Sequence, residues 1–213
     1  VDQWDWEMVI SKEQRTPEFL KMAVSRIVGA IVDTLEETKR NFPVIDLKLR
    51  REVTFVSAQE LLDRYPGLTA HERETAATKE YGTVFLTGIG GKLSNGKPHD
   101  GRAPDYDDWS LNGDILFHDD VLDESLEISS MGIRVDADSL AAQLKAAGAE
   151  ERLAYDYHKE VMSGELPLTI GGGIGQSRLC MLLLQKAHIG EVQASLWPDE
   201  MKERCEKAGI RLL

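Results

Sequence analysis

Ile170-Gly171-Gly172-Gly173-Ile174-Gly175-Gln176-Ser177-Arg178-Leu179 is the stretch whose reading decides the fold. It follows a short apolar run, Leu166 to Ile170, that predicts a strand, and it opens an apolar helix over Leu179 to Ala187. Glycines at a strand-to-helix turn let backbone approach a ligand closely, and a helix start offers unpaired N–H groups to an anion. Arg178 falls in the first helical turn, where its planar guanidinium can lie on a base or fork onto a phosphate. A Gly-rich turn followed by a surface arginine is the plainer alternative. No Lys-Ser/Thr follows the glycines, so this is not a Walker loop. The glycines also come late in the chain, with an arginine where a dinucleotide-binding helix carries a small residue.

The chain of 213 residues suits one domain or two small ones, with ordinary apolar content for a packed core. A net charge of -12 argues against a non-specific nucleic-acid or anionic-membrane binder. There are two cysteines, Cys180 and Cys205. Cys180 falls among apolar helix residues and is expected in the core. Neither a disulfide framework nor a zinc site is indicated. No apolar run is long enough to span a membrane and no signal peptide is visible, so a reducing, cytoplasmic compartment is expected. The first residue is not Met, and the chain opens inside an apparent strand, Val1 to Trp6. A strand needs partners. We therefore expect the C-terminal part of a longer chain.

Thr16 as N-cap and Pro17 at the first helical position start a helix that runs to about Phe42, with Phe19, Ala23, Ile27, Ala30 and Ile31 on one face. A strand over Glu52 to Val56 leads into the capping box Ser57-Ala58-Gln59-Glu60, whose helix ends before Pro66. A second box, Thr69-Ala70-His71-Glu72, starts a helix ending near Gly82. Thr83 to Thr87 is an apolar strand, and residues 88–110 read as a long loop. Asp114 to Phe117 and Glu124 to Ser129 are strands joined by an acidic turn, and Ile133 to Asp136 suits a third. Helices are expected over Ser139 to Ala147 and Glu150 to Ser163, closed by Gly148 and Gly164. Glu191 to Trp197 reads as the last strand, and Pro198 starts the last helix. The order predicts an α+β fold, a mostly antiparallel sheet flanked by helices.

The loop from Gly90 to Trp109 is too long to be plain connection. It carries Tyr106 and Trp109, one arginine, Arg102, and the carboxylates Asp100, Asp105, Asp107 and Asp108. Arg102 can take a carboxylate in two-point contact, and Asp107 can accept from an ammonium group. Together they suit an α-amino acid zwitterion; a solvated acidic loop is the alternative. Asp114 and Glu127 lie on consecutive strands, where two carboxylates beside a triphosphate would hold Mg²⁺. Gln3 and Asp5 alternate with Trp4 and Trp6, so they share one strand face. On a central strand that face would meet a ligand; on an edge strand it would meet solvent. The five histidines show no ligand spacing.

The glycine-opened helix bearing Arg178 resembles the third signature motif of class II aminoacyl-tRNA synthetases. Val1 to Glu7, Val84 to Lys92, Arg102-Ala103-Pro104-Asp105-Tyr106-Asp107-Asp108-Trp109, Leu111 to Leu116, Ser129 to Asp136 and Ile170 to Leu179 together resemble the aspartate–ammonia ligases, the ammonia-dependent asparagine synthetases. The likeness covers essentially the whole chain. It implies the catalytic fold of class II aspartyl-tRNA synthetases and one catalytic domain over 1–213, the C-terminal two-thirds of the family's chain. It implies synthesis of asparagine from aspartate, ATP and ammonia through a β-aspartyl-adenylate, with release of AMP and pyrophosphate. By the resemblance Arg178 and Gln3 would be catalytic. Gln3, Asp5, Arg102 and Asp107 would hold aspartate. Ser130, Arg134, Gly173, Gly175 and Arg178 would hold ATP, and Asp114 and Glu127 would hold Mg²⁺. Small-molecule substrates, a homodimer, and neither nucleic acid nor membrane as partner are likewise implied.

Two departures stand out. The family's N-terminal third is absent, including the first signature motif and the second motif's arginine. Family members also usually carry extra residues where Trp109-Ser110-Leu111 here joins two motifs directly. The runner-up reading is an aspartyl- or asparaginyl-tRNA synthetase core, against which the lack of a basic oligonucleotide-binding domain counts. A third reading, from another class, is a non-catalytic paralogue that binds ATP and an amino acid without turnover.

Overall fold

A computed structural model describes residues 2–213; Val1, expected to open the first strand, lies outside the described residues. The chain runs as β1 (Gln3–Val9), α1 (Pro17–Asn41), β2 (Thr54–Ser57), α2 (Ala58–Arg64), α3 (Ala70–Tyr81) and β3 (Thr83–Thr87). It continues through β4 (Asp107–Asp119), β5 (Glu124–Arg134), α4 (Ala137–Ala147), α5 (Asp156–Ser163), β6 (Thr169–Gly175), α6 (Gln176–Leu183) and α7 (Asp199–Lys207). The six strands form one sheet in the order β1-β6-β5-β4-β3-β2, antiparallel throughout except for the parallel β2–β3 pair. This is the expected α+β arrangement.

Local chemistry explains the helix starts. Thr16 accepts from the Phe19 N–H at 3.2 Å, and Pro17 follows at N1. Both capping boxes form at α2 and α3, with Glu60 and Glu72 each returning a carboxylate to its cap backbone. The 25-residue α1 crosses one sheet face and buries Leu20, Val24, Val28, Ile31 and Leu35 against Phe85, Ile115, Phe117, Met131 and Ile133. The buried stripe is rotated from the expected one: Ala30 is exposed and Phe19 and Ile27 are only partly covered. On the opposite sheet face, α2 and α3 cover the β2–β3 end through Ala58, Leu61 and Ala77 against Val84, Leu86 and Leu116.

Several expectations are corrected. β1 is an edge strand, paired only with β6, so the central placement weighed for the Gln3 and Asp5 face does not hold. Glu191 to Trp197 pairs with nothing and forms no strand, because alternation without a partner has no ladder to join. The helix expected over Glu150 to Ser163 breaks at Tyr155 into a 3-10 turn and α5. β4 and β5 are far longer than expected, and the segment read as a third strand, from Ile133, is the end of β5. Cys180 is exposed, while Cys205 is buried.

Candidate active site

Strand register assembles the site. Residues directly opposite in a ladder point to the same face. Asp5 faces Gly173, Gly173 faces Ser130, Ser130 faces Asp114, and Asp114 faces Leu86. A second row runs Glu7, Gly171, Gly132 and Asn112. This is the face opposite α1. Leu86 ends the first row under the α2–α3 cover, while the β4–β5–β6–β1 part carries polar side chains.

The glycines are the strand β6 itself, not a turn. Gly171, Gly172 and Gly173 are all paired on both sides, and none adopts a positive φ. What they supply is the missing Cβ. A Cβ on Gly173 would lie 2.6 Å from Asp5 Oδ1 and 3.2 Å from Gln3 Oε1. One on Gly171 would strike Glu7 and come within 2.5 Å of Arg134 Nη2. The bare floor lets the polar side chains of β1 and β5 lie flat across β6. The α6 helix then begins at Gln176, three residues earlier than expected, with Arg178 as its third residue.

A cleft of ≈ 370 Å³ lies over this floor, lined by Gln3, Asp5, Glu127, Ser130, Gly173 and Arg178, with Gly175 and Tyr106 at its margin. Arg178 Nη1 donates to the Glu127 carbonyl at 3.1 Å and stands 3.4 Å from its carboxylate. Both side chains remain about half exposed.

The other four predicted site residues stand beside the cleft in two ion pairs. Arg102 reaches from the loop onto Asp114. Burial pushes the Asp114 carboxyl up to about 7, a rise that Arg102 opposes and the charge of Glu127 assists. Arg134 pairs with Asp107, which is 4% exposed, and with Glu7 through Nε and Nη2 at 3.1 and 2.8 Å. Burial pushes the Asp107 carboxyl up despite Arg134. The Arg134 guanidinium also stacks 3.9 Å from the Tyr106 ring centroid. Asp107, expected to accept from an ammonium group, is paired with Arg134 in this structure.

Among the described residues, no group of three or more His, Cys, Asp and Glu is arranged to hold a metal. Asp114 and Glu127 make a pair of hard oxygen donors, close enough for one charge to raise the other's pKa. Such a pair fits Mg²⁺ only together with phosphate oxygens.

The loop from residue 88 to 106 is strapped down. Asn112 bonds both the N–H and the carbonyl of Ile89, and Gln143 donates to the carbonyls of Pro104 and Asp107, each at 3.0 Å. The fully buried His99 ring meets Glu74 of α3 at 2.8 Å. Sequence reasoning passed over Glu7, although it follows Gln3 and Asp5 at the same period of two, and it passed over these straps.

The family model described as aspartate-ammonia ligase matches residues 1–209. The chain is 59% identical to the aspartate–ammonia ligase of Levilactobacillus brevis over 213 residues, all of this chain and 64% of that one. It is 55% identical to that of Clostridium perfringens, covering 63% of it. The chain thus spans less than two thirds of the length of these relatives. Among solved structures it resembles asparaginyl-tRNA synthetase from Pyrococcus horikoshii complexed with asparaginyl-adenylate, with a TM-score of 0.61 and 18% identity, over 92% of this chain and 48% of that one. The Entamoeba histolytica asparaginyl-tRNA synthetase in complex with asparaginyl-adenylate gives 0.60 and 19%, over 90% of this chain and 45% of that one. At these identities the likeness to the synthetases is one of fold.

Proposed function

Because the chain belongs to the aspartate–ammonia ligase family, we propose that the whole protein makes L-asparagine from L-aspartate, ATP and ammonia, releasing AMP and pyrophosphate. A β-carboxylate oxygen attacks the α-phosphorus, and the bond to pyrophosphate breaks. The nitrogen lone pair then attacks the β-carbonyl carbon. The carbon–oxygen bond to AMP breaks, AMP leaves with the electron pair, and the nitrogen sheds a proton. The observation that carries this reading is the cleft over β6, where Gln3, Asp5, Ser130 and Arg178 converge on a floor without side chains.

Arg178 faces the nucleotide and offsets charge that develops on the transferring phosphoryl group. Ser130, Arg134, Gly173 and Gly175 complete the nucleotide site. Gln3 and Asp5 line the other end of the cleft and orient the substrate aspartate, with Arg102 and Asp107 as its further charge partners. Asp114 and Glu127 would hold Mg²⁺, which neutralises phosphate charge when bound. Residues 1–213 act as one catalytic domain, and by the family resemblance the protein is a cytoplasmic homodimer working on small molecules alone. The test is the nucleotide product of the full-length protein with aspartate, ATP and ammonium chloride. AMP in equal amount to asparagine is expected, and ADP would overturn the adenylate route.

A further inference from the structure

A second cavity adjoins the cleft, and of the residues given roles above only Arg134 lines it. Beyond Tyr106 lies a groove of ≈ 300 Å³, and Tyr106 is the wall that groove and cleft share. The groove holds the Glu7–Arg134 pair and Tyr157 of α5. Through Val135, Leu166 and Pro167 it continues into an outer trough of ≈ 410 Å³ beside Lys12 and Asp138. The three cavities lie in a row, each sharing wall residues with the next, and Tyr106 stands between the groove and the cleft.

Charge and lining select what can use this path. Asp5, Glu7 and Asp107 act on Tyr106 together with Arg134, three carboxylates to one guanidinium, while the groove's own lining carries Glu7 and Arg134. Burial, and after it these carboxylates, push the Tyr106 hydroxyl up; Tyr157 is raised mainly by burial, with Asp105 and Glu7 adding to it. Arg134 holds the Glu7 carboxylate from one side. A carboxylate offers about four acceptor positions, so capacity for a further donor remains, and about half of the Glu7 side chain is exposed. Aromatic faces attract small cations, and Tyr157 lines the groove. The adenylate must already fill the cleft when nitrogen arrives, so nitrogen needs an approach of its own.

We propose that this groove is the entry path and docking site of the ammonium ion, which passes one proton to solvent before its lone pair attacks, with Glu7 as its charge partner and Tyr106 and Tyr157 as its aromatic walls. The inference rests on the ligase reading. The full-length protein tests it in two half-assays. Aspartate-dependent exchange of pyrophosphate into ATP, without ammonium, reports adenylate formation. Asparagine formation against ammonium chloride, at saturating aspartate and ATP, reports nitrogen entry. Glu7→Gln keeps an acceptor for Arg134 and removes the charge. Its KM for ammonium should rise about three- to ten-fold, the size of a half-exposed charge contact, with exchange little changed. Tyr157→Leu should raise the same KM. An unchanged ammonium KM in both variants overturns the proposal. So does an equal loss in both half-assays, which would make Glu7 merely the holder of Arg134. Protein fluorescence titrated with ammonium chloride, against sodium chloride at constant ionic strength, reads docking without turnover. Saturation that is lost in Glu7→Gln supports the site, and no saturable change refutes it. A protein that docks ammonium yet shows no exchange would remove the ligase reading and keep the docking site.

Discussion

Replacing Arg178 with alanine separates folding from chemistry. The side chain sits on the third residue of α6, about half exposed, with one bond to the Glu127 carbonyl and a 3.4 Å pairing with its carboxylate. Ion pairs this exposed contribute about 0–1 kcal/mol to stability. Alanine is also a better helix former than arginine by a small margin. For a chain of this size 1 kcal/mol moves the thermal midpoint by about 2–4 °C, so the variant should melt within about 3 °C of the parent. The effect on catalysis should be far larger. Removing a preorganised donor aimed at developing phosphoryl charge costs about 2–4 kcal/mol of transition-state stabilisation, or roughly 30- to 1000-fold in kcat/KM for ATP. The assays are steady-state formation of AMP and scanning calorimetry on the same preparation. Near-normal kcat/KM would refute the role given to Arg178. A midpoint lowered by 10 °C would instead make the residue structural.

Gly171→Ala places a Cβ against Glu7, Arg134 and the Trp6 carbonyl, the last at 2.6 Å and fixed in the β1 ladder. A stability loss of about 1–3 kcal/mol is expected in urea unfolding, whereas Gly91→Ala, which meets nothing within 4 Å, should be neutral. Asp114 gives a pH dependence. Its folded pKa of about 7 lies above its ordinary value of 3.8, so its favourable share of stability is complete below the unfolded pKa and is lost as pH rises through 7. Linkage then predicts roughly 2–3 kcal/mol less stability at pH 8 than at pH 5 from this group; an equally steep profile in Asp114→Asn would remove it as the cause.

What was legible in the sequence is what local chemistry decides. The caps at Thr16, Ser57 and Thr69 fix helix starts to the residue, because each satisfies backbone groups within four positions. Thr83–Thr87 was legible because its ends are marked by Gly82 and Gly88, both at positive φ. What depends on distant partners was not. Glu191 to Trp197 has the composition of a strand and no strand beside it to pair with. The glycines of β6 read as a turn because glycine usually signals backbone freedom. Here the constraint is the width of side chains arriving from β1 and β5, which only the register reveals. Edge placement of β1 is likewise a property of the sheet and not of the strand.

The site repeats the same division between residue type and pairing. Residue types for a zwitterion, a nucleotide and a divalent cation were all readable, and seven of the eleven named residues line one cleft. Their pairings were not readable, because every ligand-facing charge except Asp5 is held by a charge assigned to a different ligand. Arg102 holds Asp114, Arg134 holds Asp107, and Arg178 holds Glu127. An isolated buried charge costs several kcal/mol, and pairing offsets most of that. In the proposed reaction, substrates therefore bind by exchange. A zwitterion brings one carboxylate and one ammonium. It can take up one member of each kind and leave no net charge behind, whereas a simple acid or a simple amine would strand a buried partner. Under the proposed function, selectivity for an α-amino acid would follow from the pairing as much as from the shape of the cleft.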